Sequence, residues 1–109
     1  MTGRSDKPFV PALRDLMAER ELSFRKLAYL TGQHRPDGKP LSLGYLSMLA
    51  AGERVPTPDN LETLARAAGA RPEYFVEWRE HVAAERARSL VERHGLDQVL
   101  KALDRLEKR

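Results

Sequence analysis

The chain has no cysteine among its 109 residues, which excludes a disulfide framework and any cysteine-based zinc site. Aromatic residues make up only 6% of it, so a core has to be assembled mostly from leucine and alanine. Nowhere do about 18 apolar residues follow one another, and no membrane-spanning helix is expected. The opening stretch, residues 1–7, is polar and lacks the apolar run of a signal peptide, so a cytoplasmic location is the expectation. Catalytic groupings are missing too. His34, His81 and His94 are dispersed, and there is no Ser-His-acid grouping, metal-ligand spacing or phosphate-cradling glycine loop. Glu77 and Glu85 each stand one helical turn from His81, the spacing of surface pairs rather than ligands. No enzymatic activity, cofactor or metal is expected.

What is present fits an ordinary globular domain, with 41% hydrophobic and 32% charged residues. The formal net charge of +3 is unevenly placed. Residues 72–109 carry eight bases and eight acids, so the whole excess precedes them. Between Ser23 and Arg54 alone, five bases face two acids. A locally basic patch on a balanced chain suits a phosphate-facing surface, against the plainer reading of solvated side chains clustered by chance.

Hydrophobic spacing predicts helices throughout. The first runs from near Pro8 to about Glu21, with Asp6 as its cap and Phe9, Leu13, Leu16 and Met17 on one face. Ser23 caps a second, which buries Leu27, Ala28 and Leu30 and ends at Gly32 in a left-handed conformation. Residues 33–40, QHRPDGKP, read as a loop with a turn around Pro36 to Gly38. Ser42 caps a third helix, stopped at Gly52, which buries Leu46 and Leu49 and leaves Leu43, Gly44, Ser47, Met48 and Ala51 outward. Thr57-Pro58-Asp59 starts a fourth, with Leu61, Leu64, Ala65 and Ala68 buried. A fifth opens at Pro72 and brings Tyr74, Phe75 and Trp78 to the core. Beyond it, Leu90, Leu96, Val99, Leu100, Leu103 and Leu106 form a narrow seam on helices too short to stand alone, so the seam needs a partner surface, most simply a second copy of the chain.

The ordered set Leu22-Ser23, Leu27-Ala28, Gly32, Ser42, Tyr45-Leu46-Ser47, Leu49, Gly52, Pro56, Leu61-Leu64-Ala65-Ala68-Gly69 and Glu73-Tyr74-Phe75 resembles the Xre-type family of lambda-repressor and Cro-like helix-turn-helix proteins. The layout of a reader followed by a helical tail also resembles EspR-like nucleoid-associated regulators. The resemblance implies an all-α fold: a five-helix lambda-repressor-like bundle with a helix-turn-helix over residues 8–78, a flexible arm at 1–7 and a C-terminal helical dimerisation segment at 79–109. It implies a transcription factor, cytoplasmic and nucleoid-associated, that binds double-stranded DNA as a homodimer with the third helix in the major groove. Two departures stand out. The turn between the motif helices is an insertion rather than a few residues. Phe24 and the outward residues of the third helix replace the polar readers usual in the family.

The expected phosphate contacts are Arg25 and Lys26 at the second helix's start, Arg35 and Lys39 in the connector, Ser42 with the free N–H groups behind it, and Arg54. Base reading falls to Ser47 and Tyr45 by hydrogen bond and to Leu43 and Met48 by contact with thymine methyls, while Gly44 permits close approach. The dimer seam is expected at Leu90, Leu96, Val99, Leu100, Leu103 and Leu106. The competing class is a protein-interaction module, an antitoxin or a regulator's partner, that uses the apolar outward face of the third helix.

Overall fold

In a computed structural model describing residues 3–107, the secondary structure is all-α, with no strand among the described residues. The helices are α1 Phe9–Glu19, α2 Phe24–Thr31, α3 Leu43–Ala50, α4 Pro58–Ala67, α5 Val76–His94 and α6 Leu96–Glu107, with short 3-10 turns at Gly32–His34 and Pro72–Tyr74. Three helices start where a hydroxyl takes up an otherwise orphaned backbone N–H: Ser23 accepts from Lys26 N at 3.1 Å, Ser42 from Tyr45 N at 3.1 Å and Thr57 from Asn60 N at 3.2 Å. The start of α1 is different. Pro8 precedes it without a side-chain cap, and the Phe9 N–H donates to the Glu77 carboxylate at 3.1 Å. Asp6, expected as the cap, instead pairs with Arg79 at 3.5 Å. Glu77 is therefore a structural acceptor that stitches the start of α5 to the first helix.

Gly32 does not end α2 in a left-handed conformation; its φ is −60° and the chain continues into the 3-10 turn. Space is what demands glycine there, since a Cβ would meet Gly38 O at 3.0 Å and Pro40 N at 3.2 Å. Nor does a regular helix open at Pro72. The 3-10 turn over Pro72–Tyr74 and an extended Phe75 come first, and α5 begins at Val76. That kink lets two neighbouring rings enter the core, with Phe75 5.2 Å from Phe9 and 5.2 Å from Tyr74.

Two compact units divide between Arg79 and Glu80. The first gathers Phe9, Leu13 and Leu16 of α1, Leu27 of α2, Leu46 and Leu49 of α3, Leu61 and Leu64 of α4, and Phe75 around one core. Its N-terminal arm is hydrogen-bonded to the rest of the unit from Ser5 onward. The Ser5 N–H donates to Tyr74 O at 2.9 Å, Arg79 donates to Ser5 O at 3.1 Å and to Glu73 O at 2.7 Å, and Lys7 pairs with Asp15 at 2.6 Å. The rest of the arm expected at residues 1–2, and the end of the tail at residues 108–109, lie outside the described residues. In the second unit no residue of α6 is buried.

Candidate nucleic-acid interface

Neither α2 (FRKLAYLT) nor α3 (LGYLSMLA) contains a carboxylate, so their surfaces carry positive or neutral groups only. The two helices pack on each other, and each gives a buried leucine, Leu27 and Leu46, to the core. Arg14 of α1 donates to Ala50 O at 3.1 Å, which satisfies a carbonyl at the end of α3 and fixes that helix against the core. Leu46, Leu49 and Ala50 face inward. Leu43, Gly44, Ser47 and Ala51 are exposed, and Met48 is half-buried. Since Ser42 spends its hydroxyl on Tyr45 N, the N–H groups of Leu43 and Gly44 stay open at the positive end of the helix.

Tyr45 belongs to the inner side. It packs half-buried against the core, and its hydroxyl accepts from the Asn60 side-chain amide at 2.8 Å. This leaves Ser47 as the polar side chain on the outward face of α3. Among the expected phosphate contacts, the side chains of Arg25, Lys26 and Arg54 are exposed and make no hydrogen bond or ion pair among the described residues.

The connector is more ordered than its composition implies. The Thr31 hydroxyl, fully buried, donates to Ala28 O at 2.5 Å and accepts from Leu41 N at 2.9 Å, so one side chain clamps both ends of the insertion. Leu41 is buried beneath it. Within the loop, Gly38 N donates to Arg35 O at 3.0 Å and closes the turn expected around Pro36 to Gly38. Arg35 donates to Lys39 O at 2.7 Å and lines a cleft of about 510 Å³ whose walls include Asp59, Glu62 and Arg66 of α4. The guanidinium is thus used as a brace beside acids, while Lys39 is exposed. The Lys39 N–H donated to Asp37 at 2.9 Å, aided by the charges of Arg35 and Lys39, holds the Asp37 carboxyl below its usual range.

Two exposed apolar side chains escaped the sequence reading. Val55, beside Arg54, is 87% exposed, and Tyr29, beside the connector, is 69% exposed. Helical spacing could have found Tyr29, which lies away from the Leu27-Ala28-Thr31 face; nothing local marks Val55.

No family model, curated protein or solved structure matches this chain. The case for a function therefore rests on the residues themselves. In the second unit, Leu90, His94, Val99, Ala102, Leu103 and Leu106 line an apolar groove of about 380 Å³, and Leu96, Leu100, Leu103 and Leu106 are 51–62% exposed. Among the described residues no helix is long and apolar enough to cross a membrane.

Proposed function

We propose that this chain is a sequence-preferring transcriptional regulator that binds double-stranded DNA as a homodimer, with α3 in the major groove and connector 33–40 assisting. The observation that carries the reading is the outward face of α3. It has no cover within the first unit, sits on a pair of acid-free capped helices, and is accompanied by exposed, unpaired Arg25, Lys26 and Arg54. Cations and helix N–H groups grip phosphates and set the register, and the helix between them meets base edges. Lys39 extends the grip, with Arg35 holding the loop that presents it. The exposed leucines of α6 supply the surface by which two copies pair. Such a protein needs no cofactor or catalytic group and works in the cytoplasm on the nucleoid.

The test is salt dependence. Replacing Arg25, Lys26 and Arg54 by Ala is expected to weaken binding to every duplex and to flatten the slope of log K against log salt by about 0.9 for each phosphate no longer neutralised. Affinity and slope that match the parent protein would remove these three residues from the interface. A second reading draws on the same face: with Leu43 and Ala51 exposed and Met48 half-buried, α3 could seat a protein, as in an antitoxin or a regulator's partner. It is favoured over DNA if the purified chain binds no duplex at low salt.

A further inference from the structure

Resting on the DNA-binding reading above, the geometry of α3 points to the chemical feature being read. We infer that this helix recognises the C5-methyl group of pyrimidines in the major groove, so that 5-methylcytosine offers it the same apolar contact as thymine.

The bidentate partners for guanine and adenine are Arg, Lys, Asn and Gln, and α3 contains none of them. Tyr45, the other hydrogen-bonding side chain besides Ser47, has its hydroxyl engaged by Asn60. What remains outward is Leu43 at the first helical position, 42% exposed, with Ser47 one turn on. Between them in sequence stands Gly44. Its backbone is helical rather than left-handed, and a Cβ there would meet nothing within 4 Å. A glycine inside a helix costs about 1 kcal/mol relative to alanine. Neither packing nor backbone geometry within the chain calls for a glycine in this first turn, and the bare backbone leaves open space for close approach from outside. Charge names the occupant: exposed Arg25, Lys26 and Arg54 flank the pair, outnumbering the exposed Glu53 beside Arg54, and the two helices carry no acid, which fits a polyanion with a groove deep enough to take a helix.

In that groove, thymine differs from cytosine by its C5-methyl group and by O4 in place of an amino group. Leu43 is positioned to bury the methyl and Ser47 to donate to O4. Methylation of cytosine places the same carbon at the same place, so the apolar part of the contact is common to both bases.

The experiment uses the full chain and two pools of random-sequence duplexes, one synthesised with thymine and one with uracil. Binding is expected to enrich a thymine-bearing motif from the first pool. Replacing thymine by uracil at the contacted positions of that motif should lower affinity about fourfold per methyl group removed. Placing 5-methylcytosine there should restore about fourfold over unmethylated cytosine. Leu43→Ala, at an exposed position, should bind thymine and uracil duplexes equally. Equal affinity of the parent protein for the two kinds of duplex, whether or not a motif emerges, overturns the inference while leaving DNA binding intact. Absence of binding to either pool overturns the DNA-binding reading itself.

Discussion

The unit ending at Arg79 and the unit beginning at Glu80 are both helical, yet they dispose of their apolar residues in opposite ways. In the first, Leu13, Leu16, Leu27, Leu46, Leu49, Leu64 and Phe75 are wholly enclosed. In the second, the leucines of α6 stay more than half exposed and no residue of that helix is buried. Full burial of one such side chain contributes about 1.5–3 kcal/mol, so the first unit collects this stabilisation internally and the second leaves much of it uncollected. A helix the length of α6 is marginal in water. The difference separates a domain whose stability is its own from a segment whose stability depends on what covers it.

The largest blow to the first unit is expected from Phe75→Ala. The ring is fully buried and touches both Phe9 and Tyr74. Its loss should cost about 3–5 kcal/mol, a large part of the stability of a domain this size. Denaturant unfolding followed by Trp78 fluorescence reads it directly. A change below about 1 kcal/mol would mean that the core around the ring is less enclosed than its burial implies.

The second unit should respond differently. Leu100→Asp with Leu103→Asp puts two carboxylates on the exposed apolar face, at a cost to any apolar contact of about 1–3 kcal/mol each. Sedimentation is expected to show monomers, with the unfolding midpoint of the first unit unchanged. A dimer that persists would place the pairing surface elsewhere, and a lowered midpoint would show that the first unit draws stability from the tail.

A smaller effect is expected at the connector. Thr31→Val keeps the shape of the side chain but leaves Leu41 N without its acceptor, at a cost of about 1–3 kcal/mol. Because the clamp joins both ends of the insertion, the expected sign is fast amide exchange at Leu41 and through residues 33–40, with protection in α1 retained. Uniform loss of protection would make Thr31 a general core residue instead.

Local chemistry was legible in the sequence, and long-range chemistry was not. Ser23, Ser42 and Thr57 cap helices because each reaches a backbone N–H three residues on, within the span that a motif can describe. The cap of α1 comes from Glu77, 68 residues away, and no local pattern points to it. The same divide runs through the candidate interface. The exposed cations Arg25, Lys26 and Arg54 follow from helix phase and loop composition. The removal of Tyr45 by Asn60 and the bracing role of Arg35 depend on tertiary neighbours. Gly32 shows a subtler gap. The left-handed end expected there is absent, because glycine can serve close approach as well as left-handed torsion, and only the folded chain distinguishes the two.

The smallest expected effect refines the first unit's self-sufficiency. Three of its helices end with the same pair of backbone bonds. After α3, Gly52 N donates to Leu49 O at 3.1 Å and Glu53 N to Met48 O at 2.9 Å; after α4, Gly69 N donates to Arg66 O at 2.9 Å and Ala70 N to Ala65 O at 2.8 Å. After α1, Glu21 N donates to Ala18 O at 3.2 Å and Leu22 N to Met17 O at 2.9 Å. The motif requires a left-handed residue, and the φ values are 78° at Gly52, 76° at Gly69 and 54° at Glu21. A side chain in that region costs about 1–2 kcal/mol, partly offset in Glu21→Gly by the greater entropy glycine gives the unfolded chain, about 0.5–1 kcal/mol. The substitution should therefore stabilise the first unit by about 0.5–1 kcal/mol, raising its melting temperature by a few degrees without altering the association of the tail. A fall in melting temperature would mean that the Glu21 side chain contributes more to the folded state than its backbone strain removes.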